Sequence, residues 1–201
     1  MILLKALPEL ISAAIMFGLW YAPLHFGIDW FRAGVLALLL EFFAVHAGGF
    51  MMVAVNASDV TKKQRTLWLL GLAVFYLLFI SAFAWGFHAW WMLGAFAWLC
   101  FGKVQAVWTG GEPRDIDRSV AAASWAFSVA AYLGSVAATV IPESIPTLGV
   151  TSGVRDAAGF DANGGAWEAD PHRALAGAVL YFAIMGLSRP LFARWQKGSS
   201  A

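Results

Sequence analysis

A single carboxylate, Glu41, stands in a long apolar stretch and is the residue best placed for chemistry. It is the only Asp, Glu, Lys or Arg from residue 33 to residue 58. A charged side chain that faces lipid is costly, so such residues face the protein interior. Gly34, Ala37 and Ala44 share its helical face, where another helix can therefore approach closely. We predict that Glu41 handles a proton or a small cation; a plain interhelical hydrogen bond is the alternative.

Two histidines could join Glu41 in a polar site. His25 and His88 lie near the ends of two predicted helices, on the side of the membrane that the upper half of the Glu41 helix also reaches. Two imidazoles and a carboxylate suit a transition metal, and two histidines can ligate haem. The candidate metal ligands are therefore His25, His88 and Glu41. No cofactor is predicted, because neither a zinc-helix histidine spacing nor a Cys-x-x-Cys-His haem motif occurs.

Two further polar residues, His46 and Lys103, also lie within predicted membrane helices. His46 is about 140° around the helix from Glu41, so the two side chains do not pair on one face. Lys103 either joins the polar site or extends its stem to the nearby inner interface, and we favour the second arrangement.

Several functional classes are disfavoured. The sequence has no Gly-x-Ser-x-Gly, phosphate loop, dinucleotide fingerprint or His-Glu-x-x-His, and we do not expect an enzyme. A net charge of +1 argues against nucleic acid as a partner. Cys100 is the only cysteine, so no intramolecular disulfide can form.

The elements that position these residues are membrane helices. Of the 201 residues, 61% are hydrophobic and only 12% are charged, which indicates an integral membrane protein whose partner is the lipid bilayer. The uncharged run from residue 66 to residue 102 is too long for one span and should break near residues 86–91. We predict one all-α domain over residues 1–201, a bundle of six transmembrane helices. The spans are 9–28, 33–56, 66–86, 90–108, 119–141 and 174–195.

The distribution of basic residues predicts the orientation. With both termini in the cytoplasm, all but three of the 13 Lys and Arg residues lie on the cytoplasmic side. The three exceptions are Arg32, Arg155 and Arg173. Because basic residues are retained inside, the protein is expected to lie N-in and C-in, in a bacterial inner membrane.

Small residues recur at every fourth position of the fifth span. We call this set the small-residue stripe; it comprises Ala122, Ala126, Ala130, Gly134 and Ala138. Such a stripe lets another helix approach closely. The partner is a helix of this chain, which we favour, or of another membrane protein or a second copy.

The outer loop, residues 142–173, is the one long polar segment. It is rich in Gly, Ala, Asp and Asn, but Asp161 and Asn163 lack the further ligands of an EF-hand. We therefore interpret it as a solvated loop.

The chain resembles an uncharacterised six-span group of prokaryotic membrane proteins. The resemblance rests on Glu41 followed by Gly48, Gly49 and Phe50, on Phe87 and His88, and on Pro171 and Arg173. It implies the fold and no function. Three functions stay open: a proton or small-cation conductor or sensor centred on Glu41, a non-catalytic subunit of a larger membrane complex, and an intramembrane metal or haem protein.

Overall fold

A computed structural model describes residues 6–57, 60–109, 115–141 and 145–198, with side chains except at 115–117 and 191–198. Every regular element in those ranges is a helix. The helices are α1 (Leu7–Tyr21), α2 (Pro23–Phe26), α3 (Ile28–Asn56), α4 (Lys62–Gly86), α5 (Trp91–Thr109), α6 (Asp115–Val140), α7 (Ser152–Ala157), α8 (Ala166–Ala169) and α9 (Pro171–Gly198).

Three of these helices are long and apolar enough to cross a membrane. They are α3, α4 and the Arg118–Val140 part of α6, while α1 is a shorter apolar helix. Large apolar side chains such as Leu67, Leu78 and Trp98 are exposed on the surface, as lipid-facing residues are. The chain is therefore a helical membrane protein.

The predicted first span, residues 9–28, is not one helix. It is interrupted at Ala22, whose backbone leaves the helical region, and α1 ends at Tyr21. Pro23 explains the break, since proline disfavours a helical conformation at the preceding residue and has no N–H to donate. The second predicted helix starts at Ile28 rather than at residue 33, directly after Gly27 at φ 94°.

The helical hairpin of α4 and α5 agrees with the sequence. Thr61 and Gln64 form a capping box, with each side chain bonded to the other residue's backbone N–H, so α4 begins sharply. It ends at Gly86 and α5 begins at Trp91, which confirms the predicted break. His88 adopts a positive φ of 49° in the turn, and the Ala89 N–H donates to the Ala84 carbonyl at 2.9 Å.

The contacts divide the chain into two compact units, and the boundaries fall inside α3 and α6. The first contains residues up to 39 and residues 128–198; the second contains residues 40–127. In the first unit α1 packs along α9, where Ala174, Leu175 and Ala178 are fully buried. In the second unit α4 packs against α5, and their buried residues include Leu69, Ile80 and Met92.

The predicted solvated loop is instead folded in the part that the structure describes. We call residues 145–170 the cap. Its buried side chains include Val150, Val154 and Phe160, and the Phe160 ring meets Phe31 at 6.3 Å between centroids. The cap is tied to α1, since the Gly149 N–H donates to the Trp20 carbonyl at 3.1 Å. Apolar residues at intervals of four supply a core that the segment's polar composition conceals.

Candidate functional site

Glu41 lies about 20 Å along α3 from Ile28 and is half-buried. The close approach predicted on its face occurs at Gly34, where an added Cβ would come within 2.6 Å of Leu19 Cδ1. Farther along the same face, a Cβ added at Gly48 would have no described atom within 4 Å. The Glu41 face of α3 is therefore packed closely at Gly34 and is open at Gly48.

The two histidines predicted to join Glu41 are both exposed. His25 belongs to α2 in the first unit, where its ring contacts Phe26 edge-on at 5.5 Å. His88 lies in the turn between α4 and α5 in the second unit. Among the side chains that the structure describes, no three His, Cys, Asp or Glu residues come close enough together to hold a metal ion. The metal or haem function stays a prediction.

His46 has a partner that sequence reasoning missed. Its Nδ1 lies 2.9 Å from the hydroxyl oxygen of Tyr76 on α4. Tyr76 is only 4% exposed, whereas the His46 side chain is exposed. The Phe42 ring stacks on the imidazole at 5.8 Å and 4° between planes, and Phe50 meets it edge-on at 5.5 Å. A polar ring is thus held within an aromatic surface.

Lys103 is half-buried on α5, in the second unit. Among the described residues, no contact decides between a polar-site role for Lys103 and extension to the interface, so both interpretations stay predictions.

Among the described residues, the small-residue stripe is not covered by another helix. All five of its residues, Ala122, Ala126, Ala130, Gly134 and Ala138, are exposed. In the first unit α6 instead buries Tyr132, Ser135 and Thr139, and the last two lie against Gly177 of α9. In the described part of α6, small polar residues rather than the alanines form the close contact with α9, and the helix that packs on the stripe stays a prediction.

The cap carries a pocket of about 110 Å³ that the sequence did not predict. Its lining is mixed in chemistry, with one guanidinium, one carboxylate, one imidazole and three hydroxyl groups. These belong to Arg155, Asp170, His172, Thr147, Thr151 and Ser152. Such a lining suits a small polar molecule. The sequence signal for this pocket is the group of polar residues Asp170, His172 and Arg173 at the start of the last helix.

Arg173 ties this pocket to the end of α6. It donates to the carbonyls of Thr139 and Val140 at 3.1 and 3.2 Å, and to the Asp170 carboxylate at 3.2 Å. Cations stabilise the negative end of a helix dipole, so the guanidinium is well placed at the α6 C-terminus. His172 is 7% exposed, and its burial lowers the pKa of the imidazole; nearby Asp170 raises that pKa and Arg173 lowers it further.

No protein-family model, curated protein or solved structure matches this chain. The resemblance to a six-span group therefore stays a prediction.

Proposed function

We propose that this chain is a six-span inner-membrane protein, with both termini in the cytoplasm, in which Glu41 binds and releases a proton or a small cation. The observation that carries the proposal is the place of Glu41. It is half-buried, and it is the one Asp, Glu, Lys or Arg between Arg32 and the end of α3, a helix long and apolar enough to cross a membrane. A carboxylate within a membrane helix carries a free-energy cost, so its presence there indicates a function.

A flux assay on purified protein in liposomes tests this proposal. Vesicles loaded with a pH-sensitive or cation-sensitive dye report movement across the bilayer after a gradient is imposed. We expect Glu41→Gln to abolish the flux and to leave accumulation and thermal stability nearly unchanged. Asp29→Asn is the matched control, because Asp29 is an exposed acid in the first turn of the same helix. It should retain the wild-type flux.

Two results would contradict the proposal. Flux that is equal in the wild type and in Glu41→Gln would remove the ion-handling role. A Glu41→Gln protein that fails to accumulate would point to a structural hydrogen bond, the alternative role for this acid.

A second candidate function, a non-catalytic subunit of a larger membrane complex, is favoured by the exposed small-residue stripe. Five small residues on one open helix face offer a close approach to a helix of another protein. Purification in mild detergent should then recover a companion, and Ala126→Trp should reduce its recovery. Leu78→Trp is the control, since Leu78 is an exposed leucine on α4, a different helix from the one that carries the stripe. A lone monomer would count against this function.

A further inference from the structure

The ring of His46 lies where a polar group is costly. In the described chain it is about 15 Å along α3 from the end at Asn56, close to half the thickness of a bilayer's hydrocarbon core. Its side chain is exposed, and the adjacent large side chains on the same helix, Phe42 and Phe50, are 39% and 52% exposed. We call Phe42, His46 and Phe50 the aromatic strip. The strip presents an imidazole to the surface at membrane depth.

The hydrogen bond to Tyr76 sets the tautomer of that imidazole. Tyr76 is buried, and among the described residues His46 Nδ1 is the hydrogen-bond partner that the structure gives its hydroxyl. The 2.9 Å contact does not by itself fix which group donates; because a buried hydroxyl proton needs an acceptor, we assign Tyr76 as the donor and Nδ1 as the acceptor. A neutral imidazole that accepts at Nδ1 carries its proton on Nε2. The tip of His46 is therefore an N–H donor, and that atom has no partner among the described residues.

A molecule that covers the aromatic strip must supply a hydrogen-bond acceptor for His46 Nε2 at this depth. Acyl chains have none, and the ester carbonyls of lipids lie at the interface, about 15 Å away. A second copy of the chain meeting the first across a two-fold axis would bring the same donor against itself. The bound molecule should also be flat, because Phe42 stacks parallel to the imidazole and leaves a flat aromatic surface.

We propose that the aromatic strip binds an isoprenoid quinone, with a ring carbonyl accepting a hydrogen bond from His46 Nε2 and the quinone ring packing on Phe42 or Phe50. A quinone is soluble in the membrane, is flat and offers carbonyl acceptors. Further exposed rings beside Tyr76 on α4, Phe75 and Phe79, extend the apolar surface available to the isoprenoid tail. This site shares no residue with the carboxylate function proposed for Glu41.

Titration of the full-length protein in nanodiscs with a short-chain ubiquinone tests the site. Empty nanodiscs are titrated in parallel to subtract partitioning into lipid. We expect saturable binding of one quinone per chain, and His46→Phe should raise the Kd about tenfold because the donor is lost while the ring is kept. His46→Gln, which keeps an N–H donor, should stay within about threefold of the wild type. His88→Phe, the control at an exposed histidine outside the strip, should bind as the wild type does.

Nitrogen NMR of imidazole-labelled protein gives an independent readout that does not require any variant to fold. It should show His46 as the Nε2–H tautomer, and the Nε2 signal should shift as the quinone is added. Tyr76→Phe should release the tautomer and weaken binding severalfold. The proposal is overturned by an Nδ1–H tautomer in the wild type, by uptake that does not saturate, or by equal affinity in His46→Phe. It is also overturned if a Phe50→Cys variant forms a disulfide that joins two copies of the chain.

Discussion

Two adjacent glycines of α3 have opposite surroundings. A Cβ added at Gly49 would lie 2.3 Å from Cε2 of Trp125, whose indole N–H donates to the Val45 carbonyl at 2.9 Å. The ring is held by that bond and cannot move aside without losing it. We expect Gly49→Ala to destabilise the protein by about 1–3 kcal/mol, the usual cost of overpacking a well-packed contact. Unfolding in mixed micelles measures the change.

Gly48→Ala is the matched control for that experiment. The same substitution one residue earlier meets nothing within 4 Å in the described chain. Its stability should be unchanged or slightly higher, since alanine is the better helix former. Equal losses at the two positions would show that the Trp125 contact is not responsible.

His172 should make the stability of the first unit depend on pH. Burial, the main cause, lowers the pKa of this imidazole, which lies just before the predicted last span; Asp170 opposes the shift and Arg173 adds to it. The stabilisation is full above the unfolded pKa of about 6.5 and is lost as the pH falls through the lower folded pKa, because the unfolded chain then binds more protons. Thermal unfolding in detergent should therefore shift to lower temperature on acidification.

The variant His172→Gln, which does not titrate, should lose part of that pH dependence. His25→Gln is the control, since His25 is an exposed histidine of the same unit. An unfolding temperature with the same pH dependence in His172→Gln and in the wild type would assign the effect to other groups, with Asp170 and the neighbouring Arg155 as the first to examine.

At the scale of elements, the cap depends on one glycine. A Cβ at Gly149 would lie 2.3 Å from the carbonyl oxygen of Tyr21, which belongs to the backbone and cannot rotate away as a side chain can. We expect Gly149→Ala to detach the cap from the end of α1, with faster hydrogen exchange over residues 145–170. Gly153→Ala is the control, because its nearest neighbour is Thr151 Oγ1 at 3.8 Å. Unchanged exchange in Gly149→Ala would contradict this anchoring role.

The helices were predictable where charge and length decide, and less so where packing decides. The break between Gly86 and Trp91 follows from a run too long for one span, and the structure has it there. Pro23 indicates the interruption at Ala22, but the long uncharged run around it favours one continuous span. The sequence also contains a signal for the folded cap, since Val150, Val154 and Ala158 are apolar residues at intervals of four within a polar segment. Composition conceals such a pattern, because a small core needs few apolar residues.

At the scale of the whole molecule, the residues that could carry chemistry were found more easily than their partners. Glu41 and His46 are visible as polar residues in an apolar sequence. The Tyr76 partner of His46 lies 30 residues away on another helix, and no periodicity encodes that pairing. The small-residue stripe shows the same gap, because its spacing indicates close packing and does not say whose helix supplies it. Sequence pattern describes single elements, whereas sites depend on how elements meet.

The N-in, C-in orientation is a property of the whole chain and can be tested with two engineered cysteines. Cys100 is the only cysteine and is buried, so Cys100→Ala provides a background without a reactive thiol. Ala157→Cys places a thiol in the cap and Lys63→Cys places one in the first turn of α4, and both positions are exposed in the structure. Weak labelling at either position is therefore not explained by burial.

Basic residues are retained in the cytoplasm, so Lys63 should lie inside and the cap outside. A maleimide that does not cross membranes should label Ala157→Cys in intact spheroplasts, and should label Lys63→Cys only after the membrane is opened with detergent. The reverse pattern would invert the topology. The prediction places an odd number of crossings between residues 63 and 157, so labelling of both positions from one side would contradict it. The six-span arrangement, on which the inner location of both termini depends, would then be wrong.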